Sequence, residues 1–188
     1  MIAKKQLVTY SKPSVRSKKI KANFFSSRRY RDGEDLLGGL MGIEVLAQSG
    51  PLSCFPKNTN VLMGTSNKTK PIDQIKEGET VASFNVEQQK QSLSKVLKQL
   101  VHIDAKVRYI IINKTLKTTE EHLFWVNSSE WKRAGEFKVG DWLLTSEKEK
   151  VTISELDSYN TVETVYNLEL EGDDHNYFAE NILVHNYR

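Results

Sequence analysis

Ile75-Lys76-Glu77-Gly78-Glu79-Thr80-Val81-Ala82 and Phe137-Lys138-Val139-Gly140-Asp141-Trp142-Leu143-Leu144 repeat one order of residue types, apolar, Lys, any, Gly, acid, any, apolar, apolar, at an offset of 62 residues. Each copy predicts a short helical turn, a Gly-acid turn and then a buried strand, since Gly and Asp are residues that turns select for backbone freedom and local hydrogen bonding. Two copies of one supersecondary unit predict a pseudo-twofold domain in which each half supplies one side of a shared cleft. The surrounding sequence agrees. Short β-prone runs separated by turn residues fall at 60–63, 80–84, 96–103, 109–113, 115–118, 123–126, 142–145, 162–170, 177–179 and 182–185, and long helical periodicities are few. Asn113-Lys114, between two apolar runs, reads as a tight hairpin. The expected fold class is all-β.

This region lies between two reactive residues. Cys54, the single cysteine, opens the run Cys54-Phe55-Pro56-Lys57-Asn58-Thr59-Asn60-Val61. Its thiol can attack the carbonyl of Ser53 and convert that peptide bond to a thioester. At the other end the side-chain amide of Asn186 can attack its own main-chain carbonyl, close a succinimide and release Tyr187. With an ordinary pKa of about 8.5 only a few per cent of a thiol is ionised at neutral pH, so the thiol needs help. Thr119-Glu120-Glu121-His122 ends a strand, where a hydroxyl and an imidazole three residues apart can converge: Thr119 to hold the carbonyl, His122 to protonate the departing nitrogen. His175-Asn176-Tyr177-Phe178 precedes the strand that carries His185-Asn186, so His175 and His185 approach Asn186 from neighbouring strands as acid and base. An amide held against its own carbonyl gains much of its rate from position, since oriented intramolecular groups reach effective molarities of about 10⁵ to 10⁸ M. None of these steps calls for a cofactor or a metal.

With these residues in view the sequence resembles the Hint (hedgehog/intein) family, most of all the bacterial intein-like domains and mini-inteins without a homing endonuclease. The resemblance rests on the Cys54–Val61 run, Thr119-x-x-His122, Trp131-x-x-Ala134-x-x-Phe137-x-x-Gly140-Asp141, Val165-Tyr166-Asn167-Leu168, His175-Asn176-Tyr177 and Val184-His185-Asn186, in family order. It implies a horseshoe-shaped all-β fold with both ends meeting in one site. It also implies autocatalytic, single-turnover processing: an N-to-S acyl shift at Ser53-Cys54, with Thr119 and His122 as activators, and Asn186 cyclisation helped by His175 and His185. Three positions depart from the family pattern. Leu123 stands where Pro is common, Asn167 where Asp is common, and Tyr187 where splicing inteins carry Cys, Ser or Thr. A phenol with pKa near 10 is a poor nucleophile at neutral pH, so self-cleavage is expected to outweigh protein splicing.

Residues 1–53 form the expected N-terminal flank, residues 54–186 the processing domain and residues 187–188 the remnant of a C-terminal flank. At 188 residues and 38% hydrophobic the chain can bury one ordinary core plus an appendage. The flank holds ten Lys/Arg against four acids, a balance of +6 that leaves −3 on the remainder. A mostly flexible, solvated arm is expected there, with nucleic-acid contact as the alternative. The substrate is expected to be the chain's own flanks, with a further C-terminal domain as the released partner and no membrane partner. Leu36–Ala47 is too short to span a bilayer and is expected as a short helix or a segment packed on the domain. One cysteine and no apolar core in the first thirty residues predict synthesis in the cytoplasm. Two rival functions remain: a papain-like cysteine peptidase acting on other chains, since Cys54 has His and Asn about 130 residues downstream, and a decayed Hint scaffold that only binds.

Overall fold

The computed structural model describes residues 43–45, 52–64, 66 and 68–186. The basic arm, Tyr187-Arg188 and most of Leu36–Ala47, for which the sequence carried expectations, lie outside them. Strands β1 to β7 are Ile43–Val45, Phe55–Pro56, Asn60–Leu62, Thr69–Pro71, Thr80–Asn85, Lys90–Ile112 and Leu116–Thr119. Strands β8 to β14 are Leu123–Val126, Glu130–Arg133, Trp142–Leu144, Lys150–Thr152, Leu156–Leu170, Asn176–Ala179 and Ile182–His185. No α-helix occurs among the described residues; two 3₁₀ turns, Ile72–Gln74 and Ala134–Glu136, are the helical elements. Among the described residues the domain is all-β, as expected.

Both copies of the sequence echo take the same form. Each 3₁₀ turn is followed by a Gly in the left-handed region, φ 85° at Gly78 and 101° at Gly140. The acid after each Gly folds back on the turn: Glu79 Oε2 accepts from Lys76 N at 2.7 Å and Asp141 Oδ2 from Lys138 N at 3.0 Å. A lysine then clasps each acid, Lys70 Nζ at 2.7 Å from Glu79 and Lys132 Nζ at 2.8 Å from Asp141. Behind them β5 and β10 enter the interior.

One sheet runs β1-β6-β12-β2, with β5 and β7 also on β6; the other runs β11-β10-β8-β14-β13-β3-β4, with β9 on β8. The 23-residue β6 replaces the two strands expected at 96–103 and 109–113. The intervening Asp104, Lys106 and Arg108 face water while Ala105 and Val107 alternate inward, so one half-buried strand crosses the charged stretch. A register shift opposite Glu163/Val165, with Asp104 at φ 49°, bends it there. Strands β9 and β11 carried too many polar residues to stand out in the sequence. Of the two forms expected for Leu36–Ala47, a short helix or a segment packed on the domain, the described Ile43–Val45 takes the second, as a strand parallel to β6. At the Asn113-Lys114 turn both residues have positive φ, 50° and 64°, and Thr115 N bonds Ile112 O at 3.1 Å. The main core joins the two sheets through Phe55, Val61, Phe124, Leu168, Tyr177 and Val184.

Candidate functional site: two peptide junctions around one imidazole

Phe55 and Pro56 pair with Tyr166 and Val165 of β12, which fixes the chain immediately after Cys54. Thr119, the last residue of β7, then grips the backbone around the junction. Cys54 N donates to Thr119 Oγ1 at 2.8 Å and Thr119 N donates to Cys54 O at 3.0 Å. The Thr119 hydroxyl also lies 2.6 Å from Leu52 O and 3.1 Å from Cys54 O, and Thr118 Oγ1 is 3.3 Å from Cys54 O. Thr119 thus holds the residues on either side of Ser53, and the Ser53 carbonyl, expected as its partner, is met by another residue. Asn167 Nδ2 donates to Ser53 O at 2.6 Å. Which end of that amide faces Ser53 follows from its other bonds: Oδ1 accepts from Leu168 N at 2.7 Å and from Tyr177 Oη at 3.0 Å. The amide at this position therefore serves the carbonyl oxygen, where a carboxylate would repel the charge that develops there.

Cys54 is 2% exposed, in a small cluster with Ala105, Val107, Tyr109 and Val165. Burial pushes its thiol up to about 12, so it is protonated at neutral pH.

His122 is fully buried, its ring 4.2 Å from that of Phe55 and 5.6 Å from that of Phe124. Its N–H bonds Thr119 O at 3.1 Å and its carbonyl accepts from Ala134 N at 2.9 Å. Burial, with a smaller contribution from the charge of His185, pushes the imidazole down to about 3, while the backbone of His185 and of Ser53 acts in the opposite direction. Neither ring nitrogen makes a hydrogen bond of good geometry. The ring is neutral at pH 7, with the backbone of both junctions beside it.

At the downstream junction β13 and β14 pair Asn176 with His185. His175, at φ 50°, turns its carbonyl to accept from Asn186 N at 2.9 Å. His185 Nδ1 lies 2.9 Å from Asn186 O, and because a carbonyl only accepts, that nitrogen carries the proton. The rings of His175 and His185 stack at 6.2 Å, and Trp131 stands perpendicular to His185 at 4.9 Å and 89°. Asn186 is 4% exposed, and neither its Oδ1 nor its Nδ2 has a hydrogen-bond partner among the described residues. Leaving such a group unpaired costs about 1 to 3 kcal/mol.

The sequence matches the pretoxin Hint domain family over residues 62–187, well over half of the chain. The chain belongs to that family. The matched span begins after Cys54 and includes Thr119, His122, Asn167, His175, His185, Asn186 and Tyr187. The Hint domain is also similar to the bacterial intein-like domain from Clostridium thermocellum, at 29% identity and TM-score 0.64 over 72% of this chain and 99% of that one. It shares its fold with the DnaB intein from Synechocystis sp. PCC 6803 (20% identity, TM-score 0.59, 72% and 99% covered) and with the gp41-1 intein (22%, 0.55, 71% and 98%). No curated protein matches it.

Within this Hint domain three contacts had no sequence signal of their own: the Thr118 hydroxyl, the Tyr177 hydroxyl on Asn167 and the Trp131 indole on His185. Tyr177 and Trp131 belong to the motifs that carry the family resemblance, but motif membership does not say which atom meets which. Among the described residues no group of three or more His, Cys, Asp or Glu could hold a metal ion, and no helix is long and apolar enough to cross a membrane.

Proposed function

We propose that this Hint domain cuts its own chain, through a thioester at Ser53-Cys54 and through Asn186 cyclisation before Tyr187. The observation that carries the reading is the donor on each carbonyl under attack, Asn167 Nδ2 at 2.6 Å from Ser53 O and His185 Nδ1 at 2.9 Å from Asn186 O. In the upstream step the Cys54 sulfur bonds to the Ser53 carbonyl carbon while Asn167 Nδ2–H holds the oxygen as it becomes negative. The thiol proton passes to His122 and from there to the Cys54 nitrogen as the C–N bond breaks. A neutral ring suits this shuttle, because it must first accept. In the downstream step Asn186 Nδ2 bonds to the Asn186 carbonyl carbon, His185 Nδ1–H holds the oxygen, and His175 carries a proton from Nδ2 to the departing Tyr187 nitrogen. The thioester is then hydrolysed or captured by an amine.

Self-processing is favoured over a peptidase acting in trans because Cys54 leads into a strand and is 2% exposed, which leaves its thiol little access to a foreign peptide. The family's description as a pretoxin domain suits release of a polypeptide that follows residue 187. The test is mass spectrometry of a precursor extended beyond Tyr187. Expected are a downstream product beginning at Tyr187 that disappears in Asn186→Ala, and, on adding dithiothreitol, a fragment ending at Ser53 that disappears in Cys54→Ala. Unchanged precursor in every case would leave the binding scaffold as the function.

A further inference from the structure

The Trp131-x-x-Ala134 motif takes no part in the steps above, yet its segment touches both histidines. Ala134 N bonds the His122 carbonyl at 2.9 Å, and Gly135 N bonds Glu120 O at 2.8 Å. Three residues earlier Trp131 lies opposite Trp125 in the β8–β9 pair, the two rings 5.3 Å apart, while Val184 pairs with Phe124 on the far side of β8. By that register Trp125, Trp131, Leu183 and His185 share one face of the sheet, so the indole reaches across β8 to the ring of His185.

A histidine ring turns about two torsions, and only one setting places Nδ1 on the Asn186 carbonyl at 2.9 Å. The stacked ring of His175 bounds it on one side at an interplanar angle of 21°, and Trp131 bounds it at 89°. Two walls at right angles leave the ring little rotation. We propose that Trp131 is a positioning residue for the downstream step, its indole holding His185 with the Nδ1 proton on the carbonyl that Asn186 attacks. This rests on the self-processing reading for its rate consequence, but the aim of the ring is measurable without any reaction. Trp131 is only part buried and packs against the smaller cluster of Ala82, Phe84, Leu144, Phe178 and Leu183, apart from the main core.

The experiment compares Trp131→Phe and Trp131→Leu with the parent in the full chain extended beyond Tyr187. Aromatic ring contacts of this kind hold a geometry by a factor of up to about ten. Release at Asn186-Tyr187 should therefore fall roughly tenfold in the leucine variant and stay within about threefold in the phenylalanine variant. Thiol-induced cleavage at Ser53-Cys54 should be unaltered in both. In a Cys54→Ala, Asn186→Ala background, an imidazole ¹H–¹⁵N spectrum should show a slowly exchanging His185 Nδ1 proton in parent and phenylalanine variant, lost with leucine. An unaltered Nδ1 signal in Trp131→Leu overturns the proposal. So does equal slowing of both junctions, which is what general loosening of the fold produces. If the parent releases nothing, the self-processing reading fails, and the Nδ1 signal alone decides the role of Trp131.

Discussion

Acid should weaken this domain through one side chain in particular. His122 is neutral in the folded chain down to about pH 3, whereas in the unfolded chain its pKa returns to about 6.5. Below pH 6.5 the unfolded state therefore binds a proton that the folded state excludes, and stability falls as pH falls, fully present above 6.5 and lost progressively toward 3. Each pH unit in that window is worth about 1.4 kcal/mol, so going from pH 7 to pH 5 removes about 2 kcal/mol. Other groups titrate there too: burial lowers His102, and the hydrogen bond from Lys132 holds Asp141 below its ordinary range. Comparing His122 with His122→Gln, both in the inert Cys54→Ala, Asn186→Ala background, cancels those shared contributions. Urea denaturation at pH 7, 6 and 5 should show the parent losing about 2 kcal/mol more than the glutamine variant. The two chains losing stability in parallel would refute a buried neutral His122, and with it the proton shuttle.

Asn167→Asp places an anion where a donor now meets Ser53 O at 2.6 Å, so thioester formation should slow by about 10² to 10³ although Asp is common at this position in the family; a faster variant, read by dithiothreitol release, would reverse the role assigned to the amide. Tyr187→Cys replaces a phenol with pKa near 10 by a thiol of about 8.5 and should raise the ligated fraction relative to free downstream partner, measured by mass spectrometry. Lys132→Met uncovers Asp141 in a pair whose side chains are 17% and 13% exposed, and should cost about 1 to 2 kcal/mol by urea denaturation. Lys114→Ala, from a pair 77% and 53% exposed, should cost less than about 0.5 kcal/mol; equal effects would mean the two Gly-acid turns are not braced by their lysines.

What could be read ahead of the structure was whatever local chemistry imposes. The paired Gly-acid turns announced themselves because a left-handed backbone needs Gly and a folded-back acid needs to sit one residue later, at Gly78-Glu79 and again at Gly140-Asp141. Ile182–His185 and Leu123–Val126 appeared with their observed bounds because both are compact apolar runs. β6 did not appear whole, since its solvent face carries charges that read as a break. At the site, residue types marked the reactive ends, but hydrogen-bond direction did not follow from them. Asn167 stood out only as a departure from the family's Asp, and the Leu168 and Tyr177 bonds to its oxygen show that its nitrogen faces Ser53. Trp131 lies 54 positions before His185, a separation that no local pattern spans.

If the chain cuts itself as proposed, the unpaired amide of Asn186 sets the uncut and the cut chain apart in melting behaviour. Before cyclisation the fold encloses two N–H donors and an acceptor that nothing among the described residues satisfies. Ring closure consumes one of those N–H bonds and frees the strand end to reach water. The spent domain should therefore melt at a higher temperature than its own precursor, so that under the proposed reaction each molecule that reacts becomes harder to unfold.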